Sequence, residues 1–269
     1  GGEYNVAIGN ASLDALTSAD FVTAVGYQAG SAVTTGGYNT LIGHQAGLAM
    51  TSANTNTAIG HTALGSNTVG DRNTAVGSSA LSQFNPSSNT DNNNTAIGYA
   101  ALSRLTTGVH NIAIGSSALG ADPGVTTESH NLAIGVNSMG GNVAGGEYNV
   151  AIGNYSQDAL TSGDENVSLG YHSMGGVTTG KQNVAIGYTA MQGLTTGDDN
   201  IAIGRTAMRN GVTTGDRNIA IGSQAGDDIT SAENSVFVGN GAGTKITTGV
   251  NNIAIGHEAL GQANDEGNN

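Results

Sequence analysis

The sequence predicts an all-β fold, a parallel β-solenoid (β-roll) of about 15 coils. Three observations point there: an Ala-Ile-Gly element or close variant that recurs about every 17 residues, β-branched residues held in phase with it, and too few large apolar side chains for an ordinary core.

The composition comes first. Of 269 residues 44 are Gly, aromatics make up 4%, charged residues 10%, and Trp and Cys do not occur. A conventional core of this size needs more large apolar side chains. Disorder would bring few β-branched residues and high net charge, yet Ile, Val and Thr are abundant and regularly placed. Repetition is the remaining way to satisfy the chain.

The element's glycine falls at Gly9, Gly26, Gly43, Gly60, Gly77, Gly98, Gly115, Gly135, Gly153, Gly170, Gly187, Gly204, Gly222, Gly239 and Gly256. Ten of the 14 spacings are 17 residues; the others are 18, 18, 20 and 21. The residue before each of these glycines is aliphatic, and the residue three before it is Val, Ile, Leu or Thr. Two positions apart on a strand, these share a face, which is expected to be the interior. Ala lies between them in 12 of 15 coils and is expected to face outward. Three residues after the glycine comes Ala or Ser, small enough for close backbone approach. Coils this short hold strands of three or four residues separated by Gly turns. The Thr-Thr-Gly element, begun by Thr34, Thr106, Thr178, Thr195, Thr213 and Thr247, reads as a second strand entering a turn. Stacked at about 4.8 Å per coil, the whole would form a rod roughly 70 Å long.

An Asn stands four before the glycine in 13 coils: Asn5, Asn39, Asn56, Asn73, Asn94, Asn111, Asn131, Asn149, Asn166, Asn183, Asn200, Asn218 and Asn252. Asn tolerates the left-handed region and bonds its own turn; stacked copies also bond one another in ladders. A structural ladder is the expectation. Residues 1–269 read as one solenoid domain, in which an eight-coil block, 1–144, is partly duplicated as 145–269; residues 1–10 and 145–154 are identical. Neither end carries an atypical polar cap, so the stack is expected to continue, covalently or by head-to-tail self-association.

The stretches Asn183-Val-Ala-Ile-Gly187 and Asn218-Ile-Ala-Ile-Gly222 resemble the head repeats of YadA-like trimeric autotransporter adhesins. The run from Asn94 to Gly108 is similar to repeats of phage tail-fibre-type proteins. The resemblance covers the whole chain. It implies a left-handed β-roll, often three chains side by side, that presents a binding surface or serves as a spacer. The coil here is about three residues longer than in adhesin heads, through the Leu or Met that usually follows the small residue, as at Leu64, Leu81, Leu102 and Met191.

Function classes narrow accordingly. A net charge of −13 with seven Lys plus Arg disfavours nucleic acid and anionic membrane surfaces. No apolar stretch is long enough to span a bilayer. Tyr and His gather on two stripes. One follows the glycine: Tyr27, His44, His61, Tyr99, Tyr171, Tyr188 and His257. The other precedes the Asn: Tyr4, Tyr38, His110, His130 and Tyr148. Such rings could stack on glycan rings or on a partner chain, or only on one another. The two longest coils hold the prolines, in Asn85–Asp91 and Ala121–Gly124, and these insertions are expected to protrude as loops. Acids before the Asn (Asp71, Asp164, Glu165, Asp198, Asp199, Asp216) do not fill a column and lack the Ca²⁺-repeat pattern, so neither metal nor cofactor is expected. No nucleophile motif, P-loop or distinguishable carboxylate pair argues for an enzyme. An ice-binding face is disfavoured because adjacent Thr residues point to opposite faces. The column Thr23, Thr40, Thr57, Thr74 and Thr95 also turns aliphatic from Ile112, which suits an interior. The reading is a non-enzymatic structural or adhesive fibre at the cell surface, outside the cell or on a virion. Its partners would be itself, as a head-to-tail polymer or homotrimer, and a surface glycan or protein. Phage tail-fibre shaft, ice binder and glycan-cleaving β-helix are the alternatives.

Overall fold

The computed structural model describes residues 1–88, 90–120, 127–141, 145–210 and 214–262. The chain is a parallel β-solenoid. Fifteen strands of three residues, one per coil, follow one another in chain order in a parallel sheet, and no described residue is helical.

Two compact units divide the chain, Gly1–Ala133 and Ile134–Asn269. In the first, strands Val6–Ile8, Thr23–Val25, Thr40–Ile42, Thr57–Ile59, Thr74–Val76, Thr95–Ile97 and Ile112–Ile114 stack column on column, with Ala7 beside Ala24 and Ile8 beside Val25. In the second, Val150–Ile152, Val167–Leu169, Val184–Ile186, Ile201–Ile203, Ile219–Ile221, Val236–Val238 and Ile253–Ile255 do the same, with Ala185 beside Ala202 and Ile186 beside Ile203. Equivalent residues of successive coils therefore touch, which is why a 17-residue repeat produces columns of one chemistry. The longest spacing leaves this register intact: Thr74 pairs with Thr95 and Ala75 with Ala96. The extra residues emerge between Asn85 and Asp91, where Ser87, Ser88 and Thr90 are exposed, as expected of a protruding loop. The second expected loop, Ala121–Gly124, lies outside the described residues.

The strands are short because the chain turns sharply on both sides of them. The glycine after each strand has φ near +135°, for example +136° at Gly43 and Gly60, a conformation side chains rarely adopt. It is packed as well as bent: a Cβ on Gly43 would lie 2.5 Å from the Gly60 carbonyl oxygen. Left-handed residues also recur before the Asn (Tyr38 at 59°, His110 at 59°, Asp199 at 59°) and two and four residues after the glycine (Thr62 at 52°, Leu64 at 49°). The left-handed position is thus the residue before the Asn, and the Asn itself is not in that region. Bulky residues at positive φ cost about 1 kcal/mol or more each, and the ladders described below hold them there.

The interior is the reverse of the expectation. The Ala column faces inward and is fully buried, as at Ala58, Ala75, Ala185 and Ala202, while Ile42, Ile97, Ile186, Ile203 and Ile221 are exposed on the other face. Volume explains it. Opposite the strand, the residue four after each glycine fills the coil: Leu64, Leu81, Leu102, Leu119, Met139, Met174, Met191 and Met208 are all buried. A third buried column, seven after the glycine, includes Met50, Phe84, Leu105, Leu160, Leu194 and Ile246. With these inside, only a methyl fits beneath the strand. The exceptions obey the same rule. Leu41 takes the inward strand position where Gly30 and Gly47 replace the opposing Leu, and Phe237 takes it where Gly226 and Gly243 do.

A second correction concerns Thr-Thr-Gly, which in the described copies is a bend and not a strand, the copy begun by Thr213 lying outside the described residues. There the amides of Thr34, Thr35 and Gly36 all donate to the Thr51 carbonyl, and the Thr34 hydroxyl donates to it at 3.0 Å. A carbonyl that gathers several donors closes a corner, whereas a strand would spread them along a ladder.

Candidate interaction surface

Because Ala points in, the solenoid's outward strand face carries the large side chains. In the first unit one of its columns is Thr from Thr23 to Thr95, and the other is Val or Ile. In the second unit both columns are aliphatic from Val150 and Ile152 to Ile253 and Ile255. The change from Thr to Ile at Ile112 therefore occurs on a surface, and the interior reading of that column is overturned. Exposure is substantial: 45% at Leu169 and 36% at both Ile186 and Ile203. No charged residue falls in either column. Seven strands at about 4.8 Å make a strip about 30 Å long, a contiguous apolar surface of the kind that marks a contact site.

The two stripes of Tyr and His run along the edges of the outward strand face, the one before the Asn mostly in the first unit, with Tyr148 its single member in the second. Ring stacks on ring within both. Before the Asn, Tyr4, Phe21 and Tyr38 have centroids 5.0 Å apart at interplanar angles of 7° and 19°. After the glycine, Tyr27 and His44 are 5.3 Å apart, His44 and His61 5.0 Å, and Tyr171 and Tyr188 5.5 Å at 12°. His110 and His130 are tilted, 5.1 Å apart. Stacking consumes the faces a sugar ring would use, so these rings present edges. Tyr99, 64% exposed, and His257 make no ring contact among the described residues. Tyr155 and His172, off both stripes, stack on each other at 5.9 Å.

Within each unit the Asn column forms a ladder, broken in the first by Val22, whose side chain offers no rung. Asn183 Oδ1 accepts from the Asn200 amide N–H at 2.9 Å and from Asn200 Nδ2 at 3.2 Å, while Asn183 Nδ2 donates to Asn166 Oδ1 and to the Gly197 carbonyl. The same bonds link Asn39, Asn56, Asn73, Asn94 and Asn111. Ser235 substitutes for one rung: its N–H donates to Asn218 Oδ1, and its Oγ accepts the Asn252 N–H. All but Asn5 are buried, so the column is scaffold.

The acids before the Asn form a parallel ladder at the surface. Asp20, Asp71, Asp164, Asp198 and Asp216 each accept the backbone N–H of the equivalent residue one coil earlier, at 2.6–3.0 Å. Burial pushes the Asp71 carboxyl up from its ordinary range. At Asp164 burial pushes the same way, but hydrogen bonds from Lys181 and the Glu147 N–H outweigh it and hold the carboxyl below that range. These carboxylates are engaged as backbone acceptors, and no cluster of three metal-ligating side chains occurs among the described residues. No helix of the described residues is long and apolar enough to cross a membrane.

One stretch of the second unit has a polar interior. Gln157 replaces the usual Leu, its Nε2 donates to the Val150 carbonyl, and its Oε1 is buried without a partner. Ser156 and Ser168 bond each other nearby. On the adjoining surface Asp158 and His172 face each other at 3.8 Å, and burial raises the Asp158 carboxyl. The sequence offered no signal for this pair beyond Tyr155 and His172 standing off the stripes.

Neither the scan of protein-family models nor the search of curated proteins finds a match for the chain. The fold by itself defines the class: this is a β-solenoid repeat protein with one apolar, sheet-built side.

Proposed function

We propose that this chain is a non-enzymatic structural segment of an extracellular or virion-surface fibre, whose coils associate side by side through the outward strand face. The observation that carries this reading is the placement of Ile, Val and Leu outside and Ala inside. A solitary soluble solenoid gains nothing from a charge-free aliphatic strip, whereas a second copy presents the same strip and buries both. The acidic remainder of the surface keeps such an assembly dispersed. Adhesion to a surface glycan or protein is a second part of the reading, with Tyr99 and His257 as the rings whose faces remain open.

Sedimentation velocity over a hundredfold concentration range tests the association. The wild-type chain is expected to sediment as an oligomer. A triple variant, Ile186→Lys, Ile203→Lys and Ile221→Lys, is expected to sediment as a folded monomer with an unchanged β circular-dichroism spectrum. A wild-type chain that stays monomeric throughout overturns the proposal.

A further inference from the structure

Asp199 and Arg205 stand at opposite edges of one strand row, Asp199–Ile201–Ile203–Arg205, and both are exposed. The second unit has five Lys and Arg residues. Four are paired within the chain: Lys181 with Asp164 at 2.7 Å, Lys245 with Asp228 at 2.8 Å, Arg209 with Asp227 at 3.6 Å and Arg217 with Glu233 at 3.5 Å. Arg205 makes no ion pair among the described residues, and neither does Asp199. In a chain of net charge −13, the one cation of this unit without an internal counter-ion lies beside the apolar strip.

We propose that two copies of this chain pack strand face to strand face, parallel and in register, with Asp199 of one copy paired to Arg205 of the other. The inference rests on the lateral association proposed above and adds its direction and register. An association axis running along the coil stack brings the edge before the Asn in one copy to the edge after the glycine in the next, at the same level. Row by row within the second unit this opposes Glu165 to Tyr171 and Gln182 to Tyr188, and no row of that unit opposes like charges. Row 199–205 alone opposes unlike ones. A slip of one coil places Arg217 against Arg205 in one direction and leaves Arg205 facing Gln182 in the other. An antiparallel arrangement sets like edges together and never joins Asp199 to Arg205. The ion pair thus selects direction and register, which is the usual contribution of charges at the rim of an apolar interface.

The test uses the full chain in sedimentation velocity at low salt. Asp199→Arg and Arg205→Asp are each expected to weaken association about tenfold or more, and the double reversal Asp199→Arg/Arg205→Asp to recover it to within about threefold. As an independent readout, the Cys-free chain carrying Asp199→Cys and Arg205→Cys is expected to form interchain disulfides on mild oxidation. Association that persists undiminished in both single reversals, or that the double reversal fails to recover, overturns this inference while leaving lateral association standing. A wild-type chain that does not associate overturns both.

Discussion

The ring of Phe237 occupies the place that a side chain on Gly243 would take: a Cβ there would collide with the ring, and one on Gly226 would approach it to 3.2 Å. Leu41 does the same between Gly30 and Gly47, whereas in most coils the roles are reversed, with Ala on the strand and Leu or Met opposite. The interior therefore holds a fixed volume that either side can supply. Phe237→Ala should cost about 3–5 kcal/mol by leaving a cavity that two glycines cannot fill. Gly243→Leu should destabilise by overpacking. Combined, the two should cost less than the sum of the single changes, because Leu adopts this backbone conformation at Leu64 and Leu102. Urea unfolding of the three variants reads the coupling; strict additivity would show that the two sites do not share one space.

Ala202 and Ile203 are neighbours on one strand with opposite fates. Ala202→Leu should cost about 1–3 kcal/mol, because the inward position is already opposed by Met191 and Met208. Ile203→Thr should stay within about 0.5 kcal/mol when measured at a dilution where the chain is monomeric. Unfolding midpoints that rank the two the other way would place the Ile column inside.

This inversion marks where the sequence ceased to be legible. The repeat length, the phase of the strands, the Asn ladder and the position of the Asn85–Asp91 loop all follow from which residue recurs and how often. Which face of a three-residue strand points inward does not. Period two assigns Ile8 and Val6 to one side and Ala7 to the other, and hydrophobicity then favours the wrong side, because large apolar residues on a surface look in sequence like those of an interior. The informative signal was covariation along the chain: Leu41 appears between Gly30 and Gly47, and Phe237 between Gly226 and Gly243. The left-handed residues were invisible for a different reason. Tyr38, Leu64 and Met191 are not residues that favour positive φ. Their conformation is imposed by coil-to-coil bonds such as Tyr38 N–H to the Asp20 carbonyl and Leu64 N–H to the Ala80 carbonyl.

Asn183→Ala removes the acceptor for the buried Asn200 amide and the donor to the Gly197 carbonyl. Each buried polar group left unpaired costs about 1–3 kcal/mol, so the variant should lose at least that much. Asn183→Ser should lose less, because Ser235 already carries a rung with one Oγ. Thermal melts of the two variants check the order; equal losses would mean that the side-chain amide contributes nothing a hydroxyl can replace.

Two acids of the second unit should shift stability with pH in opposite senses. Asp164 is held below its ordinary pKa of 3.8. Its contribution is therefore present above that value and is lost as pH falls through the lower folded pKa. Asp164→Asn should lower the melting temperature at pH 7 by a small amount, since the carboxylate is partly exposed and screened, and the effect should shrink as pH falls. Asp158 is raised by burial against the opposing attraction of His172. Its contribution is complete below 3.8 and is lost as pH rises through the higher folded pKa. Asp158→Asn should therefore raise the melting temperature at pH 7 relative to wild type, and that gain should vanish on acidification. Melting curves from pH 2 to pH 7 for the two variants should diverge from wild type in opposite directions as pH rises. Parallel curves would mean that neither carboxyl is perturbed by its surroundings, and a gain from Asp164→Asn at pH 7 would mean that the Lys181 hydrogen bond does not outweigh the burial of its partner.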